Sequence, residues 1–347
     1  MDTRMKRRQA TRKKPKRKRK LLMMFVLIFS CLFLVTTAYA VMQFQAGKNE
    51  AQDNLTENEM IGSDELDEEV VEVKEPENDE PINVLLIGID TSDQEPARTD
   101  TIMIGQYDAK NGDAKLASIM RDTYVEIPGH MNNKINYAFA AGGADLLRKT
   151  IEQNFDLDIH YYAMVNFNGF VNVVDTVAPD GLEVNIENRM YYRDTAADMV
   201  IDFQPGVQTL HGDEILKYVR FRKDSENDFG RVARQQEILA LLKDELLSFS
   251  GLTRIPRLIG SVEPYLETNI GLPQMLSIGR DFALNPINDF ETLRIPLDNS
   301  YRDEYYSHAG AVLEIDKEKN VQAITDFFSG KKVLANDTEA EDNEQES

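Results

Sequence analysis

Four arginines fall within 15 residues where Tyr218-Val-Arg220-Phe-Arg222 is followed by Asp228-Phe-Gly-Arg231-Val-Ala-Arg234-Gln235-Gln236. Arg231, Arg234 and Gln235 are spaced i, i+3 and i+4, so a helix puts them on one face. That face differs from the one carrying Val232 and Leu239. A guanidinium grips phosphate through two parallel hydrogen bonds. Arginines this dense in an acidic chain therefore point to a site for a polyanion. The competing reading is a solvated helix face whose arginines pair with Asp224, Glu226 and Asp228.

Two other segments could complete such a site. Asn83-Val-Leu-Leu-Ile-Gly-Ile-Asp90 is a short apolar run that ends in a carboxylate, and Arg98-Thr-Asp100 follows. Ligands of open α/β sheets gather at the C-terminal ends of strands. Asp90 and Asp100 there would suit Mg²⁺, which takes oxygen ligands and usually keeps waters and substrate phosphates in its shell; alternatively both acids cap loop turns. Ser118-Ile-Met-Arg121-Asp122 ends another apolar run, with Lys134-Ile-Asn136 shortly after it. Arg121 and Asp122 either enter the site or pair with each other at the surface. Arginines for phosphate oxygens beside carboxylates for a cation are the equipment of phosphoryl transfer, in which positioning and charge neutralisation do most of the work. Hydrolysis would need the same parts.

The elements that must position these residues follow from periodicity. Residues 83–90, 101–107 and 115–120 read as strands, and 182–186 as another. Residues 142–155 read as a helix with Leu146, Leu147 and Ile151 on one face. Phe170, Val173, Val174 and Val177 fall at i, i+3, i+4 and i+7, the spacing of an amphipathic helix. A helix from Gly212 follows the Pro205-Gly206 turn. Arg220 and Arg222 cannot share a face inside it, so it is expected to end between Tyr218 and Phe221. The longest helix of this part of the chain covers 231–247. Intermixed strands and helices predict an α/β fold, a three-layer α/β/α sandwich around a central mixed sheet.

Charge divides the chain. Residues 1–20 hold 12 Lys/Arg against Asp2, a net of +11; with −21 for the whole chain, residues 21–347 carry −32. Leu21 to Gly47 holds no charged side chain, and a helix needs about 20 apolar residues to cross a bilayer. Basic flanks stay cytoplasmic. The organisation expected is a basic cytoplasmic tail over 1–20 and one transmembrane signal-anchor over 21–44, with the rest outside the cell membrane. Ala38-Tyr39-Ala40 offers the competing reading, a cleaved signal peptide. The basic tail beside a span is a topology and anionic-lipid signal rather than a nucleic-acid patch. Residues 45–80 hold 14 Asp/Glu and two Lys, a composition that reads as a disordered stalk. The globular domain covers 81–330, and 331–347 reads as an acidic disordered tail. The one cysteine, Cys31, lies in the expected span, which leaves the exterior domain without disulfides or a cysteine-based metal site.

The order NVLLIGID, ARTDTIMI, LASIMRD, NKINYAFAAGG, LHGDEILKYVRFR and DFGRVARQQEIL resembles the LytR-CpsA-Psr family from about Ile82 to Leu247. A more variable similarity runs on to about Phe328. The resemblance implies a buried hydrophobic tunnel for a polyprenyl chain. It also implies transfer of wall teichoic acid or a similar glycopolymer from a polyprenyl-diphosphate donor to peptidoglycan, at the membrane and without nucleic acid. Asp90 and Asp100 match the family's Mg²⁺-associated acids. Arg98, Arg121, Arg220, Arg222, Arg231 and Gln235 match residues around the diphosphate, with Lys134 and Arg234 in support. Met120 stands where the family often has Pro, which leaves the charge of Arg121 in place.

On this reading the diphosphate sits on the arginines, and Mg²⁺ bridges it to Asp90 and Asp100. The lipid tail lies between apolar helix faces carrying Phe167, Phe170 and Val174. Asp122 or Asp228 positions or deprotonates the acceptor hydroxyl. A lipid-diphosphate phosphatase and a non-enzymatic regulatory or binding module are the alternatives.

Overall fold

The computed structural model describes residues 16–54, 76, 80–90, 98–194, 199–222, 228–285, 287 and 289–331. A long helix, α1 (Lys16–Asn54), is followed by strands β1 (Ile82–Asp90), β2 (Arg98–Asp108), β3 (Asp113–Ile119), β4 (Thr123–Val125) and β5 (Asn133–Lys134). Next come α2 (Ile135–Phe155), β6 (Tyr161–Asn166) and α3 (Phe167–Val177). The middle of the chain forms β7 (Leu182–Ile186), β8 (Met190–Asp194), β9 (Met199–Phe203), β10 (Gly206–Leu210), α4 (Gly212–Arg220), α5 (Asp228–Leu247) and α6 (Phe249–Val262). The last part holds β11 (Leu266–Thr268), α7 (Leu272–Leu284), β12 (Asp289–Ile295), β13 (Tyr301–Tyr306), β14 (Gly310–Ile315) and α8 (Lys317–Phe328).

The central sheet has the order β11-β6-β1-β2-β3-β12. It is mixed: β1 runs parallel to β6 and β12 to β3, while β1/β2, β2/β3 and β11/β6 are antiparallel. Successive strand side chains point to opposite faces. Leu85, Ile87 and Ile89 of β1, with Met164 of β6, point to one face and bury against Leu147, Ile151 and Phe155 of α2 and Ile324 and Phe327 of α8. On the opposite face, α5 is fastened by Gln235 to Thr101 and by Gln236 to Ser118 and the Leu293 carbonyl. Helix α3 crosses the same face: a Cβ on its Gly169 would meet the Val165 side chain. Helices thus cover both faces, in three layers. A second core joins Val174 and Val177 of α3 to Ile215 and Tyr218 of α4, Ile238 and Leu242 of α5, and β7 and β9. A smaller sheet, β13-β14-β4-β5, lies beyond the end of β3.

Two helix starts differ from the expected ones, and β2 begins at Arg98 rather than 101. Helix α2 begins at Ile135 rather than 142, because Gly142 and Gly143 depart from helical φ/ψ and Gly143 takes φ 62°. Glycine adopts that region at no steric cost, so two helical pieces join at a kink and periodicity detects only the second. Helix α5 begins at Asp228 rather than 231. A carboxylate in a first turn is favoured by the helix dipole.

Residues 45–54, expected in the stalk, are helical. Helix α1 is continuous through 21–54, and its C-terminal part docks on α6. The two helices meet through small residues: a Cβ at Gly47 would lie 2.3 Å from the Arg257 carbonyl oxygen, and one at Gly260 2.2 Å from that of Phe44. Ala51 is fully buried, and its carbonyl accepts a 3.2 Å hydrogen bond from the Tyr265 hydroxyl. Lys48–Glu263 (2.7 Å) and Arg257–Glu50 (2.6 Å) flank the contact. Backbone proximity and burial hold this segment where acidic composition alone argues for a free chain. Residues 1–15, most of 55–79 and 332–347 lie outside the described residues. Among the described residues no helix is long and apolar enough to cross a membrane.

The close approach predicts that Gly260→Leu lowers stability by about 1–3 kcal/mol, the usual cost of overpacking, and exposes residues 44–51 to protease. Gly279→Ala is the control, because its added Cβ meets Ile255 at an ordinary 3.7 Å. Thermal melts with limited proteolysis check this. Equal behaviour of the two variants would mean that α1 is not docked.

Candidate active site

The site assembles where β1, β2 and β3 end against α5. Strands β1 and β2 pair Gly88 with Thr101 and then Ile89 with Thr99, so Asp100 is an extra residue in the ladder. Such a bulge re-aims a side chain. Thr99 is fully buried beneath it, and its hydroxyl donates to the Gly88 and Thr101 carbonyls at 3.2 and 3.1 Å.

Asp100 is the hub of a cluster of guanidinium groups. Arg121 donates through Nη1 to Asp100 Oδ1. Arg222 Nη2 lies 3.0 Å from Oδ2, and Arg231 Nη1 lies 3.9 Å from Oδ1. Asp228 is the second acid: Arg121, Arg231 and Arg222 approach it at 3.4, 3.6 and 3.7 Å. The turn between β3 and β4 presents Arg121 and Asp122 together, closed by the Thr123 N–H donating to the Met120 carbonyl at 3.0 Å. Arg121 Nε contacts Asp122 at 3.3 Å. Lys134 on β5 reaches Asp122 at 2.7 Å, carried there by the pairing of Lys134 with Tyr124.

Burial raises the energy of every charge in this cluster, and partners decide the outcome. Burial opposes ionisation of Asp100, but the charges of Arg222, Arg121 and Arg231 and the hydrogen bond from Arg121 outweigh it and hold its carboxyl below the usual range. Burial likewise works against Asp122, and Lys134 with Arg121 overcomes it. For Arg121, three carboxylates overcome burial and strengthen its proton. Arg231 is the exception. It is 3 % exposed, and burial first, then repulsion from Arg222 and Arg121, bring its pKa down to about 10 against the attraction of Asp228 and Asp100. Its Nε and Nη1 have no hydrogen-bond partner among the described residues. Arg231 also sits in the first turn of α5, where the positive end of the helix dipole favours an anion.

The remaining predicted residues divide. Gln235 approaches the cluster from α5 by donating to the Thr101 hydroxyl at 3.1 Å. Helix α4 ends at Arg220, inside the expected window. Arg222, two residues on, joins Asp100, and Arg220 lays its guanidinium over the Phe167 ring, 4.3 Å from the centroid. Arg234 turns away from Asp100: it donates to the Phe221 carbonyl and lies over the Tyr218 and Phe221 rings, so it braces the end of α4. Val174 is 0 % exposed within the second core, with Phe170 packed against that core. The backbones of Asp90 and Arg98 pair at the β1/β2 end; their side chains lie outside the described residues.

Sequence reasoning missed Gln236, which ties α5 to β3 and β12, and the bulge that aims Asp100. It also missed a row on the central strands, Val84 and Leu86 of β1 with Ala163 and Val165 of β6. These are only partly buried although helices cover that face. The alternate positions of two apolar strands carried the signal.

The fold and this site define an α/β/α domain that concentrates arginines around one strand-end carboxylate. The chain belongs to the LytR_cpsA_psr family, whose model matches residues 38–324. It is similar to "Regulatory protein MsrR" of Staphylococcus aureus strain COL, 39% identical over 251 residues, covering 72% of this chain and 75% of that protein. It is also similar to the polyisoprenyl-teichoic acid–peptidoglycan teichoic acid transferase TagU of Bacillus mycoides, 33% identical over 230 residues, 66% of this chain and 73% of that one. Among solved structures, TagT with bound octaprenyl pyrophosphate superposes with a TM-score of 0.54 at 28% identity, covering 75% of this chain and 94% of that chain.

Asp100 has a depressed pKa, so its stabilising contribution is present above the unfolded carboxylate pKa, about 3.9, and is lost as pH falls through the folded value. The melting-temperature gap between wild type and Asp100→Asn should therefore be widest near neutral pH and shrink below about pH 4. A gap constant from pH 7 to 3 would show that Asp100 is not held ionised by the arginines.

Proposed function

We propose that this chain transfers an anionic glycopolymer, wall teichoic acid or a close analogue, from a polyprenyl-diphosphate carrier to a sugar hydroxyl of peptidoglycan. The observation that carries this reading is Arg231: a buried guanidinium with two unbonded donor nitrogens, pressed against Arg121 and Arg222. A diphosphate supplies the charge and acceptors this cluster lacks. The name of the TagU relative and the lipid diphosphate in the TagT structure support the same substrate class.

Arg121, Arg222 and Arg231 bind the diphosphate and neutralise charge as it develops. The acceptor oxygen bonds to the phosphorus nearer the glycopolymer. The bond from that phosphorus to the bridging oxygen breaks, and its electron pair leaves with polyprenyl phosphate. Asp122 or Asp228 orients the hydroxyl and takes its proton. Asp100, kept ionised, offers oxygen ligands of the kind Mg²⁺ uses, and Asp90 ends the adjacent strand; these two would hold the ion, which would supply Lewis-acid neutralisation of the diphosphate. Arginines that turn to phosphate oxygens leave the Asp100 carboxylate free for that role. The half-buried row of Val84, Leu86, Ala163 and Val165 opposite α3 and α5 suits the polyprenyl tail, with Phe167 and Phe170 nearby and Val174 behind them in the core.

The basic residues 1–20 and the uninterrupted helix over 21–54 support a single-pass anchor, N-terminus inside, that holds the domain outside the cell membrane where the lipid donor resides. The relative named a regulatory protein supplies a second reading, in which the domain acts without turnover.

The test is donor turnover in a reconstituted reaction, scoring polymer joined to peptidoglycan against polymer released. Arg222→Ala should reduce joining by roughly 10- to 100-fold, the loss of one charge-assisted contact of about 1.5–3 kcal/mol. Arg222→Lys should recover only part, because it keeps the charge and loses the fork. Free polymer alone would indicate a phosphatase, and no turnover by wild type would favour the regulatory reading.

A further inference from the structure

A cleft of about 660 Å³ opens beside the arginine cluster, and Asp122 and Asp228 belong to both. Its size lies within the range of small-molecule sites, about 300–1,000 Å³. One wall is a built platform. The Phe229 ring lies between the Arg294 guanidinium, 4.5 Å from its centroid, and the Tyr301 ring, 5.3 Å away at 27°. These residues come from α5, β12 and β13. Phe229 and Tyr301 pack on a small core of Met120, Val232 and Leu313, which fixes the platform relative to the Arg121–Asp122 turn.

Asp298 and Asp303 join Asp122 and Asp228 in its lining, and Arg294 is the one basic residue there among the described residues. Arg294 is itself paired with Asp298, and Asp122 and Asp228 are paired with Lys134 and Arg121. The cleft thus offers carboxylate oxygens largely balanced in charge, in contrast to the arginine cluster. A site of this kind gives an anionic polymer little to bind. Carboxylates accept hydrogen bonds from hydroxyls, and aromatic and guanidinium faces pack against the C–H faces of pyranose rings. The lining therefore matches an uncharged, hydroxyl-rich glycan.

We propose that the cleft formed by Phe229, Arg294, Tyr301 and Asp303 is the acceptor subsite, which seats a neutral glycan so that one hydroxyl enters between Asp122 and Asp228. This rests on the transferase reading and adds to it where the acceptor lies. The site is thereby divided: the arginines take the anionic donor, and the carboxylate-lined cleft takes the neutral acceptor. Asp122 and Asp228 stand at the boundary.

The test uses the full chain in detergent with two probes, chitotetraose as an uncharged amino-sugar oligosaccharide and inorganic pyrophosphate. Binding of the first is read by saturation-transfer NMR and of the second by thermal shift. Wild type should bind chitotetraose, and Tyr301→Ala and Asp303→Ala should weaken it at least about tenfold, the 1.4 kcal/mol scale of one lost packing or hydrogen-bonding contact. Tyr301→Phe keeps the ring and should retain binding, which separates loss of the platform from misfolding. The pyrophosphate shift should persist in all three variants and be lost in Arg222→Ala. Unchanged chitotetraose affinity in Tyr301→Ala and Asp303→Ala overturns the subsite. So does competition at this cleft by a polyglycerol phosphate, which would make it a seat for the donor's polymer. Absence of a pyrophosphate shift in wild type would instead count against the donor site, with the glycan result standing separately.

Discussion

Like-charge repulsion on the buried guanidinium of Arg231 is the constraint on which this structure turns. Arg121, Arg222 and Arg231 come from three separate elements and converge on Asp100 and Asp228. Among the described residues two carboxylates do not satisfy them, and Arg231 carries the deficit in its lowered pKa and unbonded donors; Asp224 and Glu226 lie outside the described residues. Leaving a buried donor unmade costs free energy, so the fold stores a demand for an anion. The bulge that aims Asp100, the turn that presents Arg121 with Asp122, and the break between α4 and α5 all serve this convergence.

Much of this was legible in the sequence where one periodicity ruled. The apolar runs ending at Asp90 and Ile119 are strands, and Phe170 to Val177 lie in a helix. The shared i and i+2 argument located the end of α4 near Arg220. Spacing could not say which partner a long side chain finds across the fold. Arg220 stacks on Phe167, and Arg234, inside α5, braces Phe221. Val174 obeyed its helical period and for that reason lies in the core. The bulge at Asp100 is a register event between two strands, and no single segment encodes it. The Phe229–Arg294–Tyr301 platform was out of reach for a similar reason: its members lie far apart in the chain and meet only through tertiary packing.

The helix that leads toward the expected membrane span is part of the same argument. Composition assigned residues 45–54 to a free acidic segment, yet Gly47 and Ala51 bind them to α6 through backbone-close packing. Helix α6 in turn packs on α3 and α5, the helices that cover the half-buried sheet face. On the proposed anchoring, a rigid link of this kind would set the orientation of the site relative to the lipid surface. Local composition measures how much surface a segment can bury by itself, and says nothing of a partner helix that arrives two hundred residues later.

The central claim is that the arginine cluster is the diphosphate site. The most direct measurement is a structure of the chain with a polyprenyl diphosphate bound. The account predicts that Arg121, Arg222 and Arg231 each donate to diphosphate oxygens, that Arg231 Nε and Nη1 gain their missing acceptors, and that the lipid runs along the face of Val84, Leu86 and Val165. A diphosphate bound elsewhere, with Arg231 still unbonded, would contradict it.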